Sequence, residues 1–330
     1  MSKLKMTLAC QDYDRVRALW DGSVTPEGID LTFISLSAEE LFWRQLQYAE
    51  FDVSEMSLSN YLTEKGGDNP RFIAIPVFPS RFFRHSFIFI SKKSGIKTPQ
   101  DLKGCKMGIP EYSMTATVWM RGMLQHEYGV VPPDMEWYAG GLDMPGREER
   151  IKIQLPEDVH LTPIAEGKTL STMLADGEID AMLTARAPAS FFAGHPNVDR
   201  LWPNYKEIEI AYFKKTGIFP IMHTVAIKRE IYDEHPWVAQ SLFKAFTQAK
   251  NISQEFLARL SHLRYMLPWL IPDYNLTISV MGEDYWPYGV EANKVTLEAI
   301  TKYAFEQGLA SRKYSLDELF AGTTYKEFKV

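Results

Sequence analysis

Two cysteines, Cys10 and Cys105, in a chain of 330 residues exclude a disulfide framework, and neither sits in a C-x-x-C pair of the kind that grips a metal. No window approaches the roughly 18 uninterrupted apolar residues that a membrane helix needs, so no membrane partner is expected. The segment Met1 to Cys10 carries only a short apolar run broken by Thr7. It reads as a first strand and not as a signal peptide, which points to a soluble, cytoplasmic protein. There is no G-x-G-x-x-G and no G-x-x-x-x-G-K-[ST] stretch to cradle a phosphate, which disfavours NAD, pyridoxal phosphate and nucleotides. H-E-x-x-H and paired His-x-His are also missing. Scattered His, Glu and Asp can still converge in a fold, but the expectation is no metal and no cofactor. With a formal net charge of −6 and no dense Lys/Arg block interleaved with aromatics, nucleic acid is not an expected partner.

The residues that are present describe ordinary globular material: 45% hydrophobic and 24% charged, with enough length for two domains that each bury a core. Aromatics reach 13%, compatible with an aromatic-lined cleft for a planar ligand.

Strand-like and helix-like segments alternate through the first half, which predicts an α/β architecture. Strands are expected at Lys3–Cys10, Ile29–Ile34, Phe51–Met56, Phe72–Val77 and Phe87–Ser91. Between them fall helices at Tyr13–Trp20, from the capping box Ser37-Ala-Glu-Glu40 to about Ala49, and at Leu58–Lys65. A polar, turn-rich connection at Lys92–Thr98 precedes a capped turn at Pro99 and a strand at Lys106–Ile109. Further on, helices are expected at Ala116–Tyr128 and Leu170–Ala175 and strands at Met135–Tyr138, Ile179–Leu183 and Phe219–Ile227. From Pro236 the character turns helical: Trp237, Leu242, Phe243, Phe246, Ile252, Phe256 and Leu260 recur at helical spacing, so the longest helix should run to about Leu260. Ala292–Gly308 and a short capped segment at Ser315–Phe320 complete the helices.

Phe78–Ile90 concentrates chemistry. Arg81, Arg84 and His85 stand directly before the apolar run Phe87–Ile90, an arrangement that is costly unless the cations face solvent, pair with carboxylates or hold an anion. The competing reading makes the arginines salt-bridge residues and His85 a satisfied structural histidine.

Two segments resemble known folds. Ile96–Ile109 looks like the start of the second lobe in type II periplasmic-binding-protein folds, and Leu174–Ala181 is similar to another segment common in them. That resemblance implies two α/β lobes joined by crossing strands at Phe87–Ser91 and Ile221–Ile227, with the ligand in the cleft between. Lobe 1 would comprise residues 1–90 plus 222–330, and lobe 2 residues 91–221. More specifically, Phe78–Ser86, Gly108–Tyr112 and Gly282–Gly289 resemble the cytoplasmic 4,5-dihydroxyphthalate decarboxylases, over essentially the full length. The implied activity is loss of one carboxylate from 4,5-dihydroxyphthalate to give 3,4-dihydroxybenzoate (protocatechuate) in phthalate breakdown. A non-catalytic binding protein for an aromatic anion and a decarboxylase of another hydroxylated aromatic acid remain the alternatives. The partner is then a small aromatic dicarboxylate, with homo-oligomerisation left open.

A dianionic substrate needs positive anchors, and planar Arg suits a carboxylate better than Lys. Arg15, Arg81, Arg84, Arg121 and Arg186 are the candidates; each alone reads more readily as structural, and two or more of them are expected to bind the substrate. Ser113 and Thr115, at a strand-to-helix turn, could seat a carboxylate or simply cap the helix. Protonation of the ring carbon that bears the leaving group calls for an acid. His223 and His85 fall in or beside the two expected crossing strands, and Glu111, Glu283 and Asp284 are the carboxyl alternatives, with Trp286 and Tyr288 available to stack on the ring.

Overall fold

The computed structural model describes residues 3–258 and 262–325. Its strands and helices, in chain order, are β1 (Leu4–Cys10), α1 (Arg17–Trp20), β2 (Ile29–Ser35), α2 (Ala38–Tyr48), β3 (Val53–Ser57), α3 (Leu58–Lys65), β4 (Phe72–Arg81), β5 (Ile88–Ser91) and β6 (Lys106–Ile109). Then follow α4 (Thr115–Tyr128), β7 (Glu136–Ala139), β8 (Leu161–Pro163), α5 (Leu170–Asp176), β9 (Ala181–Leu183), α6 (Ala189–Phe192), β10 (Val198–Arg200), α7 (Tyr205–Thr216) and β11 (Ile221–Lys228). The chain ends with α8 (Arg229–Glu234), α9 (Trp237–Ala258), α10 (Leu270–Met281), α11 (Lys294–Glu306) and α12 (Leu316–Leu319). Leu260, the expected end of the longest helix, lies outside the described residues.

Contacts divide the chain into two compact units. One comprises Met1–Arg81, His223–Leu297 and Tyr314–Val330; the other comprises Phe82–Met222 and Glu298–Lys313.

The first unit is built on a five-stranded sheet in the order β2-β1-β3-β11-β4. β1 runs parallel to β2 and β3, and β11 runs antiparallel to β3. All five residues of β3 are buried, as expected for a strand covered on both faces. β4 is an edge strand, which is why Pro76 and Pro79 are tolerated within it. Trp286 Nε1 donates to the Phe78 carbonyl at 2.9 Å and Gly289 N to the Pro76 carbonyl at 2.9 Å, so the segment 286–289 is fastened along β4. α9 buries Val238, Ala239, Leu242, Phe243, Ala245, Phe246 and Ala249; of the stripe expected from helical spacing, Leu242, Phe243 and Phe246 are buried, Ile252 and Phe256 are partly buried and Trp237 is exposed. Its first residue, Trp237, explains Gly28: that residue holds φ +74° in the turn before β2, and a Cβ there would lie 3.0 Å from the indole.

The second unit has a six-stranded sheet, β10-β5-β9-β6-β7-β8, in which β9, β6, β7 and β8 are mutually parallel and β5 and β10 are antiparallel to their neighbours. Ile88–Ser91, expected as a crossing strand, is paired on both sides within this sheet, and the compact unit accordingly begins at Phe82. Most of α11, from Glu298 onward, also belongs here, whereas the sequence assigns everything after residue 222 to the first lobe. The reason is packing against α4: Gly122 leaves room for the Tyr303 ring, whose Cδ2 would lie 2.1 Å from any Cβ at that position. Phe89, Leu170, Leu174, Ile179 and Met182 form the core of this unit.

Several expected elements differ in detail. Tyr13–Trp20 is a 3-10 turn at Asp14–Val16 followed by α1, and Pro99–Leu102 is a 3-10 turn closed by the Thr98/Asp101 capping box. β4 runs four residues beyond the expected Val77, to Arg81, and η-type geometry at Glu291–Asn293 replaces the first turn expected of α11.

Candidate functional site

In the first unit, a fully buried carboxylate, Glu55 in the middle of β3, gathers five donors. The pairing explains how. β11 places Val225 opposite Glu55, so His223, two residues along, is the diagonal neighbour on the same face. His223 Nδ1 lies 2.6 Å from Glu55 Oε1. On the other side β1 ends at Cys10, whose Sγ donates to Oε2 at 3.4 Å, and the loop beyond it supplies Gln11 N at 2.9 Å, Gln11 Nε2 at 3.2 Å and the Tyr13 hydroxyl at 2.7 Å. The C-terminal ends of parallel strands are where α/β sheets present functional groups.

Burial alone would raise the Glu55 pKa, but the facing His223 charge and these hydrogen bonds hold it below the ordinary carboxylate range. The same arrangement pushes the Tyr13 hydroxyl and the Cys10 thiol upward, burial first and the Glu55 charge second, so both remain protonated donors. A carboxylate acceptor fixes the imidazole with its proton on Nδ1 and leaves Nε2 as the exchangeable position. The His223 side chain is 17% exposed whereas Glu55 is 0%, so the pair has one accessible end. Phe42 stands edge-on to the imidazole, with ring centroids 4.8 Å apart.

Arg15 adjoins this cluster. Its guanidinium lies 4.2 Å from the ring centroids of both Tyr13 and Trp286, and it bonds to Asp14 and to the Pro79 carbonyl. His223, Tyr13, Arg15 and Trp286 are therefore brought into one connected group. Tyr288 lies close by in sequence, buried, with its hydroxyl unpartnered among the described residues. Arg81 is also in this unit, but it is engaged with the Pro287 carbonyl at 2.7 Å and with Asn293 Oδ1, which ties β4 to the segment after Trp286. Desolvation draws its pKa down to about 9. Glu283 and Asp284 do not lie in an apolar pocket. Glu283 is exposed, and Asp284, 55% exposed at its side chain, accepts from Lys250 Nζ at 2.7 Å.

The second unit holds the other candidates. Glu111, 1% exposed at its side chain, is clamped by Arg147 Nη2 at 2.5 Å and Arg150 Nη2 at 3.2 Å. Burial raises its pKa and the two arginines oppose that rise. Ser113, just before α4, indeed holds a carboxylate, but it is the protein's own. Glu149 accepts from Ser113 Oγ at 2.7 Å, from Ser113 N at 3.3 Å and from Tyr112 N. Thr115 is the buried first residue of α4. Arg121, fully buried, donates to the Tyr112 carbonyl at 2.6 Å and to Gln307 Oε1 at 2.8 Å, and it lies 3.6 Å from the Tyr112 ring centroid. Arg84 is buried, bonded to the Ala185 carbonyl and the Met222 sulfur. Arg186 is 57% exposed, 4.0 Å from Asp143.

His85 sits in an aromatic cage of Tyr212, Trp202 and Tyr128, with neither ring nitrogen hydrogen-bonded among the described residues. Desolvation lowers its pKa to about 4, so it is neutral near pH 7 and poorly suited to deliver a proton there.

Glu55, Gln11, Tyr13 and Glu149 were missed by the sequence reading. An acid between Ser54 and Met56 in an expected strand, Phe51–Met56, was the available signal for Glu55, because charged residues are rarely buried unless paired. Among the described residues no group of three His, Cys, Asp or Glu side chains is placed to hold a metal ion, and no helix is long and apolar enough to cross a membrane.

No protein-family model matches the chain. It is 38% identical over 330 residues, the whole of both chains, to a 4,5-dihydroxyphthalate decarboxylase of Comamonas testosteroni. It is 43% identical over 202 residues, 61% of this chain and 78% of the other, to a 4,5-dihydroxyphthalate decarboxylase of Pseudomonas putida. Among solved structures, the periplasmic sulfonate-binding protein SsuA of Methylobacillus flagellatus aligns with a TM-score of 0.54 at 12% identity, covering 97% of this chain and 92% of that one. At that identity the likeness shows the fold alone, the periplasmic-binding-protein-like α/β fold expected from the sequence.

Proposed function

Because the chain belongs to the 4,5-dihydroxyphthalate decarboxylase family, we propose that it removes one carboxylate from 4,5-dihydroxyphthalate, giving 3,4-dihydroxybenzoate and CO2, and that His223 supplies the proton. The observation that carries this assignment is the buried Glu55 carboxylate bonded at 2.6 Å to a histidine that keeps an accessible edge. Ring protonation at the carboxylate-bearing carbon breaks aromaticity. The hydroxyl para to that carbon donates electron density to stabilise the cation, the C–C bond then cleaves with its electron pair returning to the ring, and CO2 leaves. The net change replaces one carboxylate by one proton. General-acid catalysis by a positioned side chain contributes about 10²–10⁴-fold to such a step. Glu55 serves as the positioning residue: it orients the imidazole and stabilises it when charged. Arg15, held between the Tyr13 and Trp286 rings, supports the binding of an anionic aromatic ligand, since it combines a planar cation with two π-faces.

A cytoplasmic location belongs to the same reading and is supported by two unpaired cysteines, which a reducing compartment favours. The test is direct. Chelator-treated protein incubated with 4,5-dihydroxyphthalate should release CO2 and 3,4-dihydroxybenzoate in equal amounts. Binding without release would make the protein an aromatic-anion receptor, and release only after metal is restored would overturn the metal-free route.

A further inference from the structure

The turn before α4 is built to hold a carboxylate and already holds one. Two consecutive backbone amides, Tyr112 and Ser113, and the Ser113 hydroxyl converge on Glu149. The N-cap residue of this 14-residue helix, Met114, supplies no side-chain cap, and Glu149, bound at Ser113, brings a negative charge near the positive end of the helix. Beside the seat lies Arg121, fully buried, with Nη1 unpartnered among the described residues and with its charge stabilised by that of Glu149. A buried guanidinium with an unused N–H leaves positive potential that one resident carboxylate does not saturate.

Glu149 does not belong to a regular element. It sits in the connection between β7 and β8, residues 140–160, which contains neither helix nor strand. Irregular connections of that length in a compact unit are commonly functional. Arg147 and Arg150, its neighbours on either side, grip Glu111. They hold the loop down, while among the described residues Glu149 accepts from Tyr112 N, Ser113 N and Ser113 Oγ, the groups an outside carboxylate would use.

We propose that Glu149 is a tethered stand-in for a ligand carboxylate at the Tyr112–Ser113 seat, displaced when an aromatic carboxylate binds, and that it thereby sets the affinity a ligand must exceed. The ligand class rests on the decarboxylase reading; the exchange itself does not. A tethered group competes at an effective concentration on the order of millimolar, so weakly binding monoanions are turned away. If Glu149 fills the seat about nine-tenths of the time, its removal raises apparent affinity about tenfold.

Phthalate is the probe, titrated calorimetrically against wild type, Glu149→Gln, Glu149→Ala and, as a control for long-range charge, Glu148→Gln at the exposed neighbouring position. Both Glu149 variants should bind phthalate about tenfold more tightly than wild type. Glu148→Gln should change it less than twofold, and adding Ser113→Ala to Glu149→Gln should abolish the gain. Unchanged or weaker binding in folded Glu149 variants, or an equal gain in Glu148→Gln, overturns the proposal. Should the variants not fold, a phthalate complex of the wild-type protein decides: a ligand oxygen on Ser113 Oγ with Glu149 withdrawn supports it, and Glu149 still in place refutes it. Wild-type release of 3,4-dihydroxybenzoate, assayed in parallel, separates the two readings. Tighter phthalate binding by the variants with no product from wild type sinks the decarboxylase and keeps the seat; product without tighter binding does the reverse.

Discussion

At the scale of single residues, Glu55 and His85 show how burial acts in opposite ways on charge. Glu55 is buried yet stays ionised because His223, Tyr13, Gln11 and Cys10 all donate to it. Glu55→Gln keeps the shape but replaces an anion by a neutral amide. It should lower kcat by about 10²-fold with KM changed less than threefold, since orientation and charge of the imidazole matter in the transition state. A matching rise in KM would show that Glu55 serves ligand binding. His85 is buried with no hydrogen-bond partner among the described residues and stays neutral. Its folded pKa of about 4 lies below the ordinary 6.5, so the unfolded chain binds the proton more readily. The stability it contributes is therefore complete above pH 6.5 and is lost as pH falls from about 6.5 toward 4, by about 3 kcal/mol. His85→Phe, which suits the cage of Tyr128, Trp202 and Tyr212, should flatten that part of the profile in urea unfolding. An unchanged slope would mean that other groups govern the acid limb. Glu55 acts lower on the scale: its depressed pKa gives stability that is present above about pH 4.3 and disappears only below it.

At the scale of elements, the site depends on register. Sliding β11 by one residue would turn His223 to the opposite face from Glu55, so the β3–β11 pairing is itself a functional feature. Much of this was legible beforehand. Strand and helix alternation, the Ser37/Glu40 cap of α2 and the long stripe of α9 all follow from local pattern. What pattern could not convey was partnership between distant segments. α7 buries only Tyr212 and α10 buries none of its residues among the described ones, so neither shows the one-sided stripe that marks a helix. The part of α11 that lies in the second unit carries Tyr303, for whose ring Gly122 of α4 leaves the slot. Ala is favoured over Gly by about 1 kcal/mol within a helix. A Cβ at 2.1 Å from Tyr303 Cδ2 reverses the sign. Gly122→Ala should destabilise by about 1–3 kcal/mol, and Tyr303→Leu in that background should recover part of the loss. Additive losses in chemical denaturation would contradict the contact.

At the scale of the whole molecule, a periplasmic-binding-protein-like fold carries a decarboxylase family, and fold alone would not have distinguished a receptor from an enzyme. His223, Arg15 and Trp286 were legible as candidates because their residue types suit an anionic ring and a proton transfer. Their common partners were not, since Glu55 and Tyr13 are joined to them only through tertiary pairing. Glu111, one of the carboxyl candidates, is clamped by Arg147 and Arg150, while burial raises its pKa. The central claim is that the Glu55-supported His223 delivers the proton that replaces CO2. Single-turnover release of 3,4-dihydroxybenzoate by wild type and His223→Gln, each saturated with 4,5-dihydroxyphthalate, tests it most directly. The account predicts that His223→Gln still binds the diacid and releases product at least about 100-fold more slowly; release within about threefold of wild type would contradict it.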